Sequence, residues 1–534
     1  MADIKGDLVP ARRGVLKLAG AGTAGAVAAV MAAGAPRARA QAGGGAGAAP
    51  GGMFEVTAYG ATGNGTTLDT PAVNRAIEAA AAAGGGTVYF RAGQYLCYSI
   101  HLKSNVGLHL GPGAVIVAAD FKAGQSGPGY DPPGPAQAWE AYQDFGHNHW
   151  QNSLIWGEGL ENISILGPGR IYGKGLSRAN NARSPIGEGN KSISLKNCHN
   201  VLLKDFQILQ AGWFGILATG VDNFTIDGLT IDTNRDGMDI DSCRNVRVSN
   251  CAVNSPWDDA IVPKSSYALG YARPTINLEI SNCYVTGAYQ LGTMLDGTWK
   301  EFEPGGPRVG HTGRIKMGTE SNGGFQNITI TNCVFEGCQG LALESEDGAL
   351  LEDVTISNLT MRGIISAPIF MRLGSRLRGP AGTTHTGAMR RVKISNVVCS
   401  DSASYLGCVI SGVPGHPIEN VTLSDIYIQH RGGGTAADAA ITPPEDESKY
   451  PEPGMFGRMP SQGFYIRHVN NIELSGIQIE AMAPDARPGI VLQNAENVDL
   501  FHVKTPANVP AVVLHDSKNV TARWVRGVQD GAVS

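Results

Sequence analysis

The chain has 534 residues, a formal net charge of −5 and only 17% charged residues. So sparse and slightly acidic a balance gives no electrostatic basis for binding nucleic acid or an anionic membrane surface. Its 72 glycines are spread among short β-like runs, which signals many turns and excludes a flexible Gly-rich polymer; the length admits two or three average domains or one elongated repeat domain.

Residues 1–40 read as an export signal. Arg12-Arg13 precede an Ala/Gly/Val-rich stretch from Leu18 to Ala35, and Ala38-Arg39-Ala40 offers a small-residue cleavage site. Twin arginines before a weakly hydrophobic segment resemble a bacterial twin-arginine signal; a chance Arg pair in a Sec-type signal is the alternative. Either way a periplasmic or secreted protein is expected, with no membrane association once the signal is removed, because no later segment is long and apolar enough to span a bilayer. Residues 41–52 form a Gly/Ala linker, and residues 53–534 are expected to form one catalytic domain. At its start, Met53 to Thr57 predicts a strand. Asp69 predicts a helix N-cap before an apolar stripe at helical spacing that ends at Gly84-Gly85-Gly86. An amphipathic helix there would cover the exposed edge of the domain's first coil.

The remainder of the chain is repetitive. Asn162, Asn200, Asn223, Asn245, Asn277 and Asn327 each open the pattern Asn, aliphatic, any, aliphatic, and Asp353, Arg391, Asn420, Asn471, Asn497 and Asn519 continue it. Period-2 alternation means strands with one buried face. The shortest anchor spacing, 22 residues, is too tight for strand–helix repeats but fits three short strands per coil. The expected fold is therefore all-β, a single-stranded parallel β-helix with an N-terminal capping helix. The anchor Asn residues are structural, since Asn tolerates left-handed backbone and stacked amides satisfy one another. Cys251, Cys283 and Cys333 each follow an Asn, while Cys198 and Cys243 each precede an anchor Asn by two residues. Their repeated phase predicts free, buried thiols acting as small apolar fillers, and the lack of any C-x-x-C pair argues against metal ligation by these residues.

The chemistry concentrates in two places. Asp236 lies 13 residues beyond Asn223, Asp258 lies 13 beyond Asn245, and Asp259 comes directly after. Equal phase on adjacent coils, roughly 4.8 Å apart, would bring three carboxyl groups together. Adjacent strand residues point to opposite faces, so Asp258 and Asp259 need a local turn, which Ser255-Pro256-Trp257 can supply. Three crowded carboxyls cannot all ionise cheaply, and one raised pKa beside an ionised carboxylate is what glycoside hydrolysis requires. The alternatives are Asp residues that only cap turns, or a calcium site. Trp213 lies 13 residues past Asn200, where it would stack on a sugar or pack in the core.

These motifs resemble glycoside hydrolase family 28, the polygalacturonase family, over nearly the whole mature chain. Phe54 to Thr70 and Gly84 to Phe90 resemble the usual opening of pectin-acting β-helices. Asn234-Arg235-Asp236-Gly237 resembles the family's Asn-Thr-Asp-Gly, and Asp258-Asp259-Ala260-Ile261-Val262-Pro263-Lys264 its Asp-Asp-x-Ile-x-x-Lys. The resemblance implies a right-handed β-helix that hydrolyses uronic-acid-containing pectic polysaccharide or oligosaccharide with inversion, as a monomer without metal or other cofactor. It makes Asp258 the general acid, has Asp236 and Asp259 hold the attacking water, and gives Lys264 a substrate or carboxylate contact.

Three departures qualify that picture. Arg235 replaces a small Thr and brings a cation among the carboxyls. Pro263 occupies an aliphatic position. The family's histidine position falls on Gly313, His311 being two residues away, and its Arg-Ile-Lys position reads Leu341-Ala342-Leu343-Glu344, while Arg314-Ile315-Lys316 spells that motif one coil early. Substrate-binding candidates are therefore Lys264, Arg235, Trp213, Arg314, Lys316 and Glu344, with Glu346, Arg372 and Arg376 near the same face. The insertions 265–275 and 287–313, carrying Tyr289, Trp299 and Phe302, would wall off a cleft and favour exo action, on rhamnogalacturonan or another uronate-bearing glycan. A calcium-dependent lyase and a non-catalytic glycan-binding β-helix are the rival readings.

Overall fold

The structure, a computed structural model, describes residues 51–178, 185–303, 311–403 and 405–533. The export signal and all but the end of the linker lie outside the described residues. From Gly52 onward the chain winds into a right-handed parallel β-helix whose strands pair in parallel with the equivalent strands one coil on, until Gly531–Val533 pairs antiparallel with Lys518–Arg523. One coil shows the construction: strands Asp222–Asp227, Thr230–Asp232 and Asp236–Asp241 are separated by turns at Gly228 and at Thr233 to Arg235. The period-2 pattern buries alternate residues, so Phe224, Ile226 and Ile231 fill the interior beside Val246, Val248 and Val253 of the next coil.

Stacked side chains keep the coils in phase. Asn162, Asn200, Asn223, Asn245, Asn277 and Asn327 all adopt left-handed backbone with φ between 52° and 57°. Each donates its amide to the Asn one coil earlier; Asn245 Nδ2 reaches Asn223 Oδ1 at 3.2 Å and Asn277 Nδ2 reaches Asn245 Oδ1 at 2.8 Å. Where Asp353 and Arg391 interrupt the file, an ion pair of 2.7 Å replaces the amide contact. All nine cysteines are free and buried, the five whose repeated phase predicts it and the four others alike.

The helix Thr70–Ala82 lays Ala72, Val73, Ala76, Ile77 and Ala80 on the first coils. Asp69 does not cap it through its side chain as the sequence suggests. Its carboxylate instead accepts the N–H groups of Thr62 and Gly63, tying the preceding turn to the helix start. Among the described residues no helix is long and apolar enough to cross a membrane.

Six strands form a separate parallel sheet in the order Ile100–His101, Ile155–Glu158, Lys191–Lys196, Phe214–Thr219, Asp236–Asp241, Ile261–Lys264. The later strands are buried on both faces because inserted segments cover the outside. Residues 139–150 pack there, where Trp150, Trp213, Phe214, Leu217 and Ala268 make a small second core. A second strap, within 431–463, covers later coils through Phe456 and Met459. Pro263 sits on the last strand of the six, where the next coil follows: its carbonyl accepts the Gly318 N–H at 2.9 Å and Ile261 bridges Ile315.

Asn245→Ala should lower unfolding free energy by about 2 kcal/mol through left-handed strain and two lost amide contacts, and Asn245→Gly should cost about half as much. Denaturant titration monitored by circular dichroism measures both.

Candidate active site

The chain from Ser255 to Ala260 leaves the ladder in a turn, as the Ser255-Pro256-Trp257 sequence suggests, and this turn holds one residue more than the turn one coil earlier. Phe214 pairs with Asp236, an offset of 22, but Met238 pairs with Ile261, an offset of 23. The equal phase expected for Asp236 and Asp258 is thus corrected by one residue. Gly237 N–H donates to the Asp259 carbonyl at 2.9 Å, so Asp236 stands beside Asp259, and Arg235 beside Asp258. The three carboxyl groups still converge, with ligand oxygens of Asp236, Asp258 and Asp259 all within 4.8 Å of one another.

Each carboxyl has a different environment. Asp258 is the most open, its side chain 25% exposed. Arg235 donates to its Oδ2 from Nε at 3.0 Å and from Nη2 at 2.5 Å, and its own backbone neighbour, the Asp259 N–H, donates to Oδ1 at 3.1 Å. Asp259 is buried, yet Arg314 Nε at 2.8 Å and Lys316 Nζ at 3.5 Å outweigh the cost of burial and hold its carboxyl below the ordinary range. Asp236 is also buried, and among the described residues it has no such direct partner. Burial first, then the charges of Asp258 and Asp239, push it well above the usual carboxylate range, against the more distant pull of Lys264 and Arg235. The surroundings therefore push two carboxyls of the trio in opposite directions, Asp236 up and Asp259 down.

A dense network supports the trio. Lys264 is buried, donating to Glu320 Oε2 at 2.7 Å and lying 3.6 Å from Asp239. It steadies carboxylates and is closed to substrate. His147, from the segment over the six-stranded sheet, meets Asp239 at 3.1 Å. Arg314 and Lys316 do lie one coil before Leu341 to Glu344, since Lys316 pairs with Ala342. Both are buried, so neither is a free substrate contact: Arg314 Nη2 meets Glu452 at 2.5 Å, and Lys316 contacts the Tyr450 hydroxyl at 3.1 Å and Glu344 at 3.6 Å. Glu344 is itself fully buried, and burial raises it to about 7 despite Lys316. Glu346 and Arg372 are buried as well, and Arg376 is tied to Asp347 at 2.5 Å, so these four do not line an open pocket.

Trp213 is 1% exposed, stacked on Phe214 at 5.3 Å with the Arg235 guanidinium 5.0 Å over its other side. It is a packing residue that aims Arg235 at Asp258, and no sugar reaches it. Of the inserted aromatics, Tyr289 and Trp299 pack with Tyr284 on the flank, while Phe302 meets Trp257 at 5.6 Å and His311 at 6.0 Å beside the trio. Arg178 lies 5.3 Å over the Trp257 ring on the same rim. No motif in the sequence marks His147, Asp239, Tyr450 or Glu452. The one signal for Tyr450 and Glu452 is the 51-residue gap between Asn420 and Asn471, more than twice the basic period.

Residues 53–261 match the family model described as "Rhamnogalacturonase A/epimerase, pectate lyase-like". A probable polygalacturonase of Vitis vinifera is 23% identical over 426 residues, spanning 76% of this chain and 80% of the relative. Among solved structures, an exopolygalacturonase from Thermotoga maritima shares the fold with a TM-score of 0.56 at 19% identity, covering 72% of this chain and 88% of that one. A family 28 exopolygalacturonase of Yersinia enterocolitica does so with a TM-score of 0.53 at 17% identity, covering 90% and 79%. The protein is a parallel β-helix of the kind these solved structures share. Its sequence is similar to the pectate-lyase-like family model over residues 53–261 and, at 23% identity, to proteins named polygalacturonase and exopolygalacturonase.

Because burial and the neighbouring carboxylates raise the Asp236 pKa, the stability it contributes is complete at acid pH and is lost as pH rises through its raised native pKa. Asp236→Asn should therefore gain on the parent as pH rises, by about 2 °C in unfolding midpoint at pH 8 against little at pH 4. Scanning calorimetry at both pH values checks the sign.

Proposed function

We propose that the protein is a pectin-degrading glycoside hydrolase that cleaves uronic-acid-containing chains by carboxylate acid/base catalysis. The observation that carries this reading is the trio: three carboxyl groups within 4.8 Å, one pushed up in pKa by its surroundings and one pushed down by them. The relatives named polygalacturonase and exopolygalacturonase give the substrate class, and the rhamnogalacturonase description of the matching family model keeps rhamnogalacturonan within it.

In this mechanism the free protein keeps the proton on Asp236. Passing it to Asp258, the most open of the three, leaves Asp236 and Asp259 ionised around one water. Two acceptors sharing a water stand about 4.5 Å apart when each hydrogen bond is about 2.8 Å long, which suits the trio's spacing. As the glycosidic bond breaks, Asp258 protonates the leaving oxygen while the water attacks the anomeric carbon and gives its proton to Asp236 or Asp259. That course inverts the anomeric centre. Carboxyl groups this close are also compatible with a covalent, retaining course, so the anomer of the first product is the deciding observation.

Exo action is supported by the inserted segments gathered near the trio: Phe302 and His311 pack toward Trp257 beside Asp258, and the 431–463 strap brings Tyr450 and Glu452 against Lys316 and Arg314. Export is supported by the Arg12-Arg13 signal segment.

Asp258→Asn should lower release of reducing sugar from polygalacturonate or rhamnogalacturonan by at least about a thousandfold with an unchanged circular dichroism spectrum. Chelators should leave the rate unaltered; calcium-dependent, ultraviolet-absorbing unsaturated products would instead establish a lyase, and unaltered oligosaccharide would establish a binding protein. Anomeric NMR should show inversion, and chromatography of a long polymer should show small products from the start.

A further inference from the structure

We propose that Arg178, held over the Trp257 indole, is the specificity-determining residue that receives a carboxylate of an anionic sugar at the mouth of the site. The inference rests on the reading that the trio acts on uronate-bearing chains, and it names the group that reads the charge.

Most cations around the trio are already neutralised. Arg235 makes two contacts with Asp258. Arg314 and Lys316 are buried among Asp259, Glu344 and Glu452, and Lys264 between Asp239 and Glu320. Arg376 is bound by Asp347, and Arg378 bridges Glu320 at 2.7 Å and Asp144 at 3.5 Å. Adding a substrate carboxylate to any of these would break an existing pair in a site already crowded with negative charge. Arg178 is different. It is exposed, and among the described residues no carboxylate pairs with it.

Its position fits the role. The guanidinium sits 5.3 Å from the centroid of Trp257, the residue next to Asp258, and Trp257 is fixed edge to face by Phe302. A guanidinium stacked on an indole keeps its N–H edge free for a two-point contact with a planar carboxylate, and stacking reduces the side-chain freedom lost on binding. The loop bearing it is anchored just upstream, where Ser177 N–H donates to the Gly189 carbonyl at 2.9 Å. A sugar bound by its carboxylate at Arg178 would lie next to the most open of the three acids.

The test is calorimetric binding of acidic galacturonide oligosaccharides, and of the same oligosaccharides methyl-esterified, to the parent protein, Arg178→Ala and Arg178→Lys. Losing a charge-assisted contact should weaken binding of the acidic ligand by at least about tenfold in Arg178→Ala, with a smaller loss in Arg178→Lys. The esterified ligand should bind all three proteins alike. Equal affinity of parent and Arg178→Ala for the acidic ligand, or no binding of it by the parent, overturns the proposal. Turnover of the acidic oligosaccharides by the parent separately tests the hydrolase reading: tight Arg178-dependent binding without cleavage sinks that reading and leaves this one standing.

Discussion

Everything at the site depends on the spacing imposed by coil-to-coil hydrogen bonding. Parallel strands stack roughly 4.8 Å apart, and side chains at equivalent positions on successive coils have no freedom to separate further. In the interior this aligns Phe224 with Val246 and Ile226 with Val248, and at the turn it aligns one Asn with the next. On the face of the six-stranded sheet the same spacing forces acidic side chains together, where it is a cost unless something offsets it.

The protein offsets it unevenly. Arg235 pairs with Asp258, Arg314 and Lys316 pair with Asp259, and Asp236, which has no direct counterion among the described residues, is pushed upward. An even distribution of cations would give three ionised, inert carboxylates. The uneven one gives neighbouring carboxyls opposite proton affinities, with Asp258 the most open of the three. Because Arg314 and Lys316 are also held by Glu452 and Tyr450, the 431–463 strap bears on the charge balance around Asp259.

The single extra residue in the turn before Ile261 has a matching consequence. It shifts the offset from 22 to 23, which sets Arg235 opposite Asp258 and Asp236 opposite Asp259. With equal spacing the two acids the sequence aligns would have faced each other and the guanidinium would have pointed elsewhere. Trp213, packed against Phe214 and under the Arg235 guanidinium, keeps that pairing in place from one coil earlier.

The sequence by itself determined the solenoid, the structural role of Asn223 and Asn245, the burial of the cysteines and the gathering of Asp236, Asp258 and Asp259, because each comes from local periodicity repeated at a near-constant interval. Tertiary structure alone decided which acid is pushed up and which down, that Trp213 is packing, and that Arg314, Lys316 and Glu344 are buried in ion pairs. Those outcomes depend on His147, Tyr450 and Glu452, carried by inserted segments that obey no repeat, so no spacing in the chain encodes where they land. Burial and charge pairing are properties of the assembled face, and the residues that create them are up to 138 positions from those they control.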